Sequence, residues 1–440
     1  MNGKIKYLAV FLAMALLLSG CTMKTVDQMY AVPRRSSAYQ ELQLAIDGVM
    51  GDMSYCAPLS GDNQQTVQMA DLNGDGEDEY LLFARGNAEA PLKIFVFLRQ
   101  NRDYILWHTI EGRGSGFEQV EYVQIDGKPG RELVVGRQLS DQVVRNLAVY
   151  SFSGDKCELL MTAGYTKFVT TDLDQDSLTD LLVIAPGDQE EDNAVATLYR
   201  FREGSLARSR EARLSEHADN IKRIMVSRLY GGVPAVYVAS AVNESAIITD
   251  VFSLKEERFT NISLSSESGT SVQTLRNHYV YAVDIDDDGM LELPSLIDMV
   301  PVQNHAGGSS QYLIRWYTLT PDGGEVDRLY TFHNFQSGWY LKLDEEWAPR
   351  VSVTEAGGVC TFYVWDTRFE KAEKLLTIYT LTGSDRQTLA EQEGRIILYK
   401  TDGAIYAAVL EVGALSYGLT AEHLPDSFFP IHMDWKSGET

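Results

Sequence analysis

Three short acidic segments hold the residues best suited to chemistry: Asp71-Leu-Asn73-Gly-Asp75-Gly-Glu77-Asp-Glu79, Asp172-Leu-Asp174-Gln-Asp176-Ser-Leu178-Thr-Asp180 and Asp284-Ile-Asp286-Asp-Asp288-Gly-Met290-Leu-Glu292. Side-chain oxygens at positions 1, 3, 5 and 9 of a tight turn can converge on one hard cation, with the carbonyl of position 7 as a further ligand. Ca²⁺ takes 6–8 oxygens at ~2.3–2.6 Å, which such a loop plus water supplies. Without a cation, two carboxylates ~5 Å apart repel by roughly 3 kcal/mol at an effective dielectric of ~20. The expected ligands are Asp71, Asn73, Asp75, Glu77 and Glu79; Asp172, Asp174, Asp176, Leu178 and Asp180; and Asp284, Asp286, Asp288, Met290 and Glu292. An EF-hand needs a bidentate Glu at position 12 and helical flanks. Position 12 is Leu82, Val183 or Ser295 and the flanks are β-like, so that assignment fails. A cation here would pin a hairpin register, a structural task, with no obvious open position for substrate.

The elements that must carry these loops repeat. Each loop is followed by a strand-like run, Tyr80–Phe83, Leu181–Ile184 or Leu293–Leu296. Two degenerate copies lie between them. Val123–Val135 keeps the frame without the acids and puts Lys128 where an acid belongs, so no metal is expected there; Val226–Val238 is the other. A second marker is an aromatic-centred strand: Ile94–Phe97, Val149–Phe152, Leu198–Phe201, Val251–Leu254, Trp316–Leu319 and Ile378–Leu381. Units of about 50 residues with several short strands each signify β-propeller blades. The reading is all-β: residues 61–337 as blades 1–5 and residues 338–440 as blades 6 and 7, seven being preferred. Hairpins at Val351–Trp365 and Ile396–Val409 would supply the last two, the latter turning at Asp402-Gly403. The alternative is five blades plus a small C-terminal α+β domain, with Thr420 capping a helix start.

The loops resemble those of FG-GAP and VCBS repeats, known from integrin α-chain propellers and bacterial surface proteins. That resemblance implies a loop joining two strands of one blade and holding Ca²⁺. Asn73 is a neutral variant of the pattern, and Ser177 stands where Gly is usual at the sharp turn.

The N-terminus reads as an address. Lys4 and Lys6 precede an apolar run, Tyr7 to Leu18, about a dozen residues long and too short for a transmembrane helix. Leu18-Ser19-Gly20-Cys21 looks like the lipobox of bacterial lipoproteins, which implies a signal peptide over residues 1–20 and a diacylglyceryl group with palmitate-type chains on Cys21. Two or three acyl chains on one residue give stable anchoring. The expected location is the extracytoplasmic side of a bacterial cell membrane. Residues 21–60 are a tether followed by one short helix over 38–50. Of the remaining thiols, Cys157 and Cys360 read as small core residues, and a Cys56–Cys157 disulfide is left open.

Composition limits the partners. A net charge of −24 over 440 residues argues against nucleic acid, whose phosphates need clustered Lys and Arg. None of the seven histidines forms H-E-x-x-H, and there is no G-x-S-x-G or phosphate loop. Gly112-Arg-Gly114-Ser-Gly116 reads as a turn between blades, and Phe335, Trp339 and Tyr340 as core rather than a sugar platform. The expected function is a lipid-anchored calcium-binding β-propeller that binds or scaffolds a protein or glycan at the cell envelope. The alternative is a polysaccharide-active hydrolase or lyase on the same fold.

Overall fold

Short apolar runs punctuated by Gly- and Asp-rich turns cannot bury both faces as single hairpins. Here they pair into six antiparallel sheets among the described residues. This is a computed structural model, and it describes residues 37–101, 103–139, 145–189, 192–299, 312–366 and 371–431. Cys21 and the tether before residue 37 lie outside them.

Sheet I contains Val67–Ala70, Glu79–Arg85, Leu92–Gln100 and Asp103–Gly112, with Ser54–Tyr55 added at an edge. Sheet II runs Gly116–Val123, Glu132–Gln138, Arg145–Ser153, Lys156–Tyr165, and sheet III runs Lys167–Thr171, Asp180–Ala185, Val195–Arg202, Ser205–Arg213. Sheet IV consists of Ile221–Arg228, Pro234–Ala241, Ile247–Lys255 and Arg258–Asn261. In sheet V, Leu293–Asp298, Tyr312–Leu319, Glu325–Asn334 and Trp339–Leu343 are joined by the distant Phe428–Pro430. Its first strand is reduced to a bridge between Val283 and Glu292. Counting that bridge, the aromatic-centred segment is the third strand of every sheet. The Gly112–Gly116 turn links sheets I and II, as expected.

Side chains alternate across a strand, so a strand buried on both faces must be apolar at every position. Leu181 and Val183 pack with Val134 and Val149 of sheet II, whereas Leu182 and Ile184 pack with Val236 and Phe252 of sheet IV. Sheet VI comprises Val351–Ala356, Val359–Asp366, Lys371–Thr382, Ala404–Leu410 and Ile396–Lys400. Similar cores join I to II (Phe83, Val120), IV to V (Tyr237, Tyr317) and V to VI (Phe332, Phe362). Each such side chain contributes about 1.5–3 kcal/mol. At one end of the row, helix α1 (Ser37–Met50) lays Leu42 and Ile46 on Leu82 and Phe97 of sheet I. At the other, helix α2 (Arg386–Ala390) sets Ala390 against Ile405 and Ala407 of sheet VI. Among the described residues, no apolar cluster joins sheet VI to sheet I.

The expected seventh sheet is not found among the described residues. Asp402 and Gly403 do turn a hairpin, but Ala404–Leu410 pairs with the long strand Lys371–Thr382, and Ile396–Lys400 pairs outside it. Together with Val351–Ala356 and Val359–Asp366 these five strands make sheet VI. The 12-residue strand Lys371–Thr382 offers an edge, and the hairpin adds to it instead of forming a sheet of its own. Thr420 accepts the His423 N–H at 3.2 Å but starts no α-helix; the segment yields only a 3₁₀ turn, Pro425–Ser427. Trp339 and Tyr340 are buried. Cys56, Cys157 and Cys360 are free thiols, so the disulfide left open is not formed.

Candidate metal centre

Each acidic loop joins the first and second strands of its sheet, and one backbone template recurs. The position-9 carboxylate turns under the loop to accept the N–H of position 2. Glu79 takes Leu72 at 2.8 Å, Asp180 takes Leu173 at 3.0 Å, and Glu292 takes Ile285 at 3.1 Å. Position 1 accepts the N–H of position 6: Gly76 to Asp71 at 3.0 Å, Ser177 to Asp172 at 2.9 Å, Gly289 to Asp284 at 2.8 Å. Position 5 accepts the N–H of position 7, at 2.8 Å for Asp75 with Glu77, Asp176 with Leu178 and Asp288 with Met290. Position 6 has a left-handed φ in all three, +87° at Gly76, +84° at Gly289 and +72° at Ser177. Ser177 therefore adopts the glycine conformation, at the cost of Cβ crowding.

The carboxylates converge in two loops. One oxygen each of Asp172, Asp174 and Asp180, and of Asp284, Asp286 and Glu292, lie within 4.8 Å of one another. The clusters take positions 1, 3 and 9; in the first loop position 3 is Asn73, whose amide donates to Glu79 Oε1 at 3.0 Å, so no third carboxylate joins Asp71 and Glu79 there. Inside the clusters some oxygens have nothing to bond. Glu292 is 0% exposed and its Oε1 has no hydrogen-bond partner, nor do Asp286 Oδ1 and Asp172 Oδ1. A buried acceptor left unmade costs about 1–3 kcal/mol, more if charged. Burial pushes the Glu292 carboxyl up to about 8, with Asp286 and Asp288 adding to the rise and the Ile285 N–H opposing it. Asp180 and Glu79 are pushed up to about 7 for the same reason, burial. An oxygen-rich, partly dehydrated cluster of this kind suits a hard divalent ion.

Two arginines, unforeseen from the sequence, complete the picture. Arg200 is almost fully buried and contacts Asp174, with Nη1 at 2.7 Å from Glu257 and Nε at 3.8 Å from Asp180. Arg328 lies 2.8 Å from Asp286, contacts Asp288, and approaches Glu292 at 4.0 Å. The signal for Arg200 was a charged residue inside an aromatic-centred strand; the pairing of Leu181 with Tyr199 sets it opposite Asp180. Arg328 stands at a bulge opposite Trp316 and Tyr317, which no periodicity marks.

The degenerate second loop corrects one expectation. It has not lost its acids: Glu132 accepts the Ile125 N–H at 2.6 Å, which is the position-9 bond, and Asp126 occupies position 3. Lys128 Nζ sits 2.6 Å from Asp126 Oδ2, and Ser151 Oγ lies 3.1 Å from both carboxylates. A side-chain cation thus fills the loop from within.

Neighbouring loops touch. The Arg131 N–H donates to Asp71 O at 3.0 Å, Thr179 N–H to Gln124 O at 2.6 Å, Gln175 Nε2 to Gly232 O at 3.3 Å, and Leu291 N–H to Ser227 Oγ at 2.9 Å. Gly74 is needed for this, since a Cβ there would sit 2.3 Å from Pro129 Cβ. Two open pockets border the row. One, of about 560 Å³, includes Asp71, Tyr122 and Arg131; the other, of about 420 Å³, includes Asp172, Gln175 and Arg228.

No protein-family model and no curated protein matches the chain. Among solved structures it is similar to a protein from Lactobacillus plantarum, at 12% identity over 72% of this chain and 86% of that one, with a TM-score of 0.27. It is also similar to the exotype rhamnogalacturonan lyase YesX, at 11% identity over 74% of this chain and 69% of that one, with a TM-score of 0.28.

Proposed function

We propose that this chain is a lipid-anchored module of propeller type whose loops hold Ca²⁺, and that it binds a protein or glycan at the outer side of a bacterial cell membrane. The observation that supports the ion is the set of unpartnered carboxylate oxygens on Glu292, Asp286 and Asp172. Asp172, Asp174 and Asp180 would hold one ion and Asp284, Asp286 and Glu292 another. The ion would neutralise charge and fix the turn, while the backbone N–H groups at positions 2, 6 and 7 hold the carboxylates in place beforehand. The row of loops with its two pockets is the surface offered to a ligand.

Cation binding to the folded chain stabilises it by RT ln(1 + [L]/Kd), ~2.7 kcal/mol per site at a hundredfold excess. Thermal melts of the full chain should therefore rise with Ca²⁺ and fall with chelator; superimposable melts refute the ion. Anchoring is tested separately. Cys21→Ala should move the protein from the detergent phase to the aqueous phase and abolish labelling by palmitate. Retained label would refute lipidation at Cys21.

A further inference from the structure

Arg200 and Arg328 each sit against the carboxylates that would take the ion, although they belong to different sheets and reach the loops from different strands. In sheet II the same kind of place is taken by Lys128. In sheet I no ion pair to the loop carboxylates is found among the described residues, and an amide, Asn73 Nδ2, stands in. The guanidinium stands at the two loops whose acids converge, those of sheets III and V. An unpartnered oxygen on the fully buried Glu292 shows that the guanidinium does not satisfy the sheet V cluster.

We infer that Arg200 and Arg328 are built-in competitors for the divalent cation, each holding its loop closed without metal and leaving the carboxylates when metal enters. This rests on the cation reading above. A doubly charged ion and a guanidinium cannot share Asp174, or Asp286 and Asp288, without strong like-charge repulsion. The two displacements differ. Arg200 already contacts Glu257, in the hairpin between Ile247–Lys255 and Arg258–Asn261 of sheet IV, so it has a second carboxylate to turn to. Arg328 has no second carboxylate among the described residues beyond its own loop and is partly open to solvent. Metal entry in sheet III is thereby linked to sheet IV through one side chain. Metal entry in sheet V releases Arg328 to water.

The test is calorimetric titration of the full chain with CaCl₂ after chelator treatment. Arg328→Met should tighten the sheet V site at least tenfold, and Arg328→Lys, which keeps the charge, should stay within about threefold of wild type. Arg200→Met is an independent second variant and should tighten the sheet III site similarly; cooperative thermal unfolding reports that each variant folds. A tighter site in either Met variant supports the competition. Wild-type binding that neither Met variant strengthens overturns it while leaving the cation reading intact. Absence of binding in wild type and variants alike overturns both.

Discussion

The loops of sheets II and V share a backbone and differ in who supplies the positive charge. Both close by the same bond, from the position-9 carboxylate to the position-2 N–H, Glu132 with Ile125 and Glu292 with Ile285. In sheet II a lysine and a serine satisfy the two acids locally. In sheet V more acids gather than Arg328 can serve, and oxygens remain unbonded. The difference teaches that turn closure and cation demand are separable properties of one loop.

The largest way to break the comparison is pH, because three carboxylates act together. In chelator, Glu79, Asp180 and Glu292 have folded values near 7, 7 and 8, above the ordinary values near 4 of an unfolded chain. A raised acid binds more protons folded than unfolded, so stability falls as pH rises from about 4 to 8. The chelated protein should therefore melt at higher temperature at pH 5.5 than at pH 8. With saturating Ca²⁺ the order should reverse, since protons then compete with the ion. Equal slopes in both conditions would mean that Ca²⁺ does not engage these carboxylates, Glu292 of sheet V included.

A sharper and smaller test is Lys128→Met. Asp126 loses its counter-charge while staying fully buried, which should cost about 1–3 kcal/mol in urea unfolding, with or without Ca²⁺. A loss that calcium repairs would mean that the second loop can also take an ion. The smallest effect belongs to Ser177→Gly. Relief of the left-handed backbone, less the extra entropy of glycine, should stabilise by about 0.5–1 kcal/mol and raise the urea midpoint. An unchanged or lower midpoint would show that the Ser177 turn is unstrained.

What was legible in the sequence was local. The loops declared themselves by composition, and the aromatic-centred strands fell at the same rank in every sheet. Glu132 was missed because a single acid carries no pattern; only the backbone shows that it repeats the role of Glu79. The hairpin at Asp402-Gly403 was read correctly as a turn and wrongly as a separate sheet. Which edge a hairpin joins depends on a partner, here Lys371–Thr382, that no local signal identifies. Arg328 was invisible because its place depends on a bulge and a register.

The contacts between loops have a mechanical side. Consecutive aromatic markers lie 49 to 65 residues apart, and a peeled unit of that size would release roughly 160–230 Å of chain at ~3.3–3.6 Å per residue. Before it peels, the bond from Thr179 to Gln124 or from Leu291 to Ser227 must break along with the apolar seam beside it. A chain tethered at one end and pulled at the other would thus lengthen in steps, each gated by one catch at the loop row.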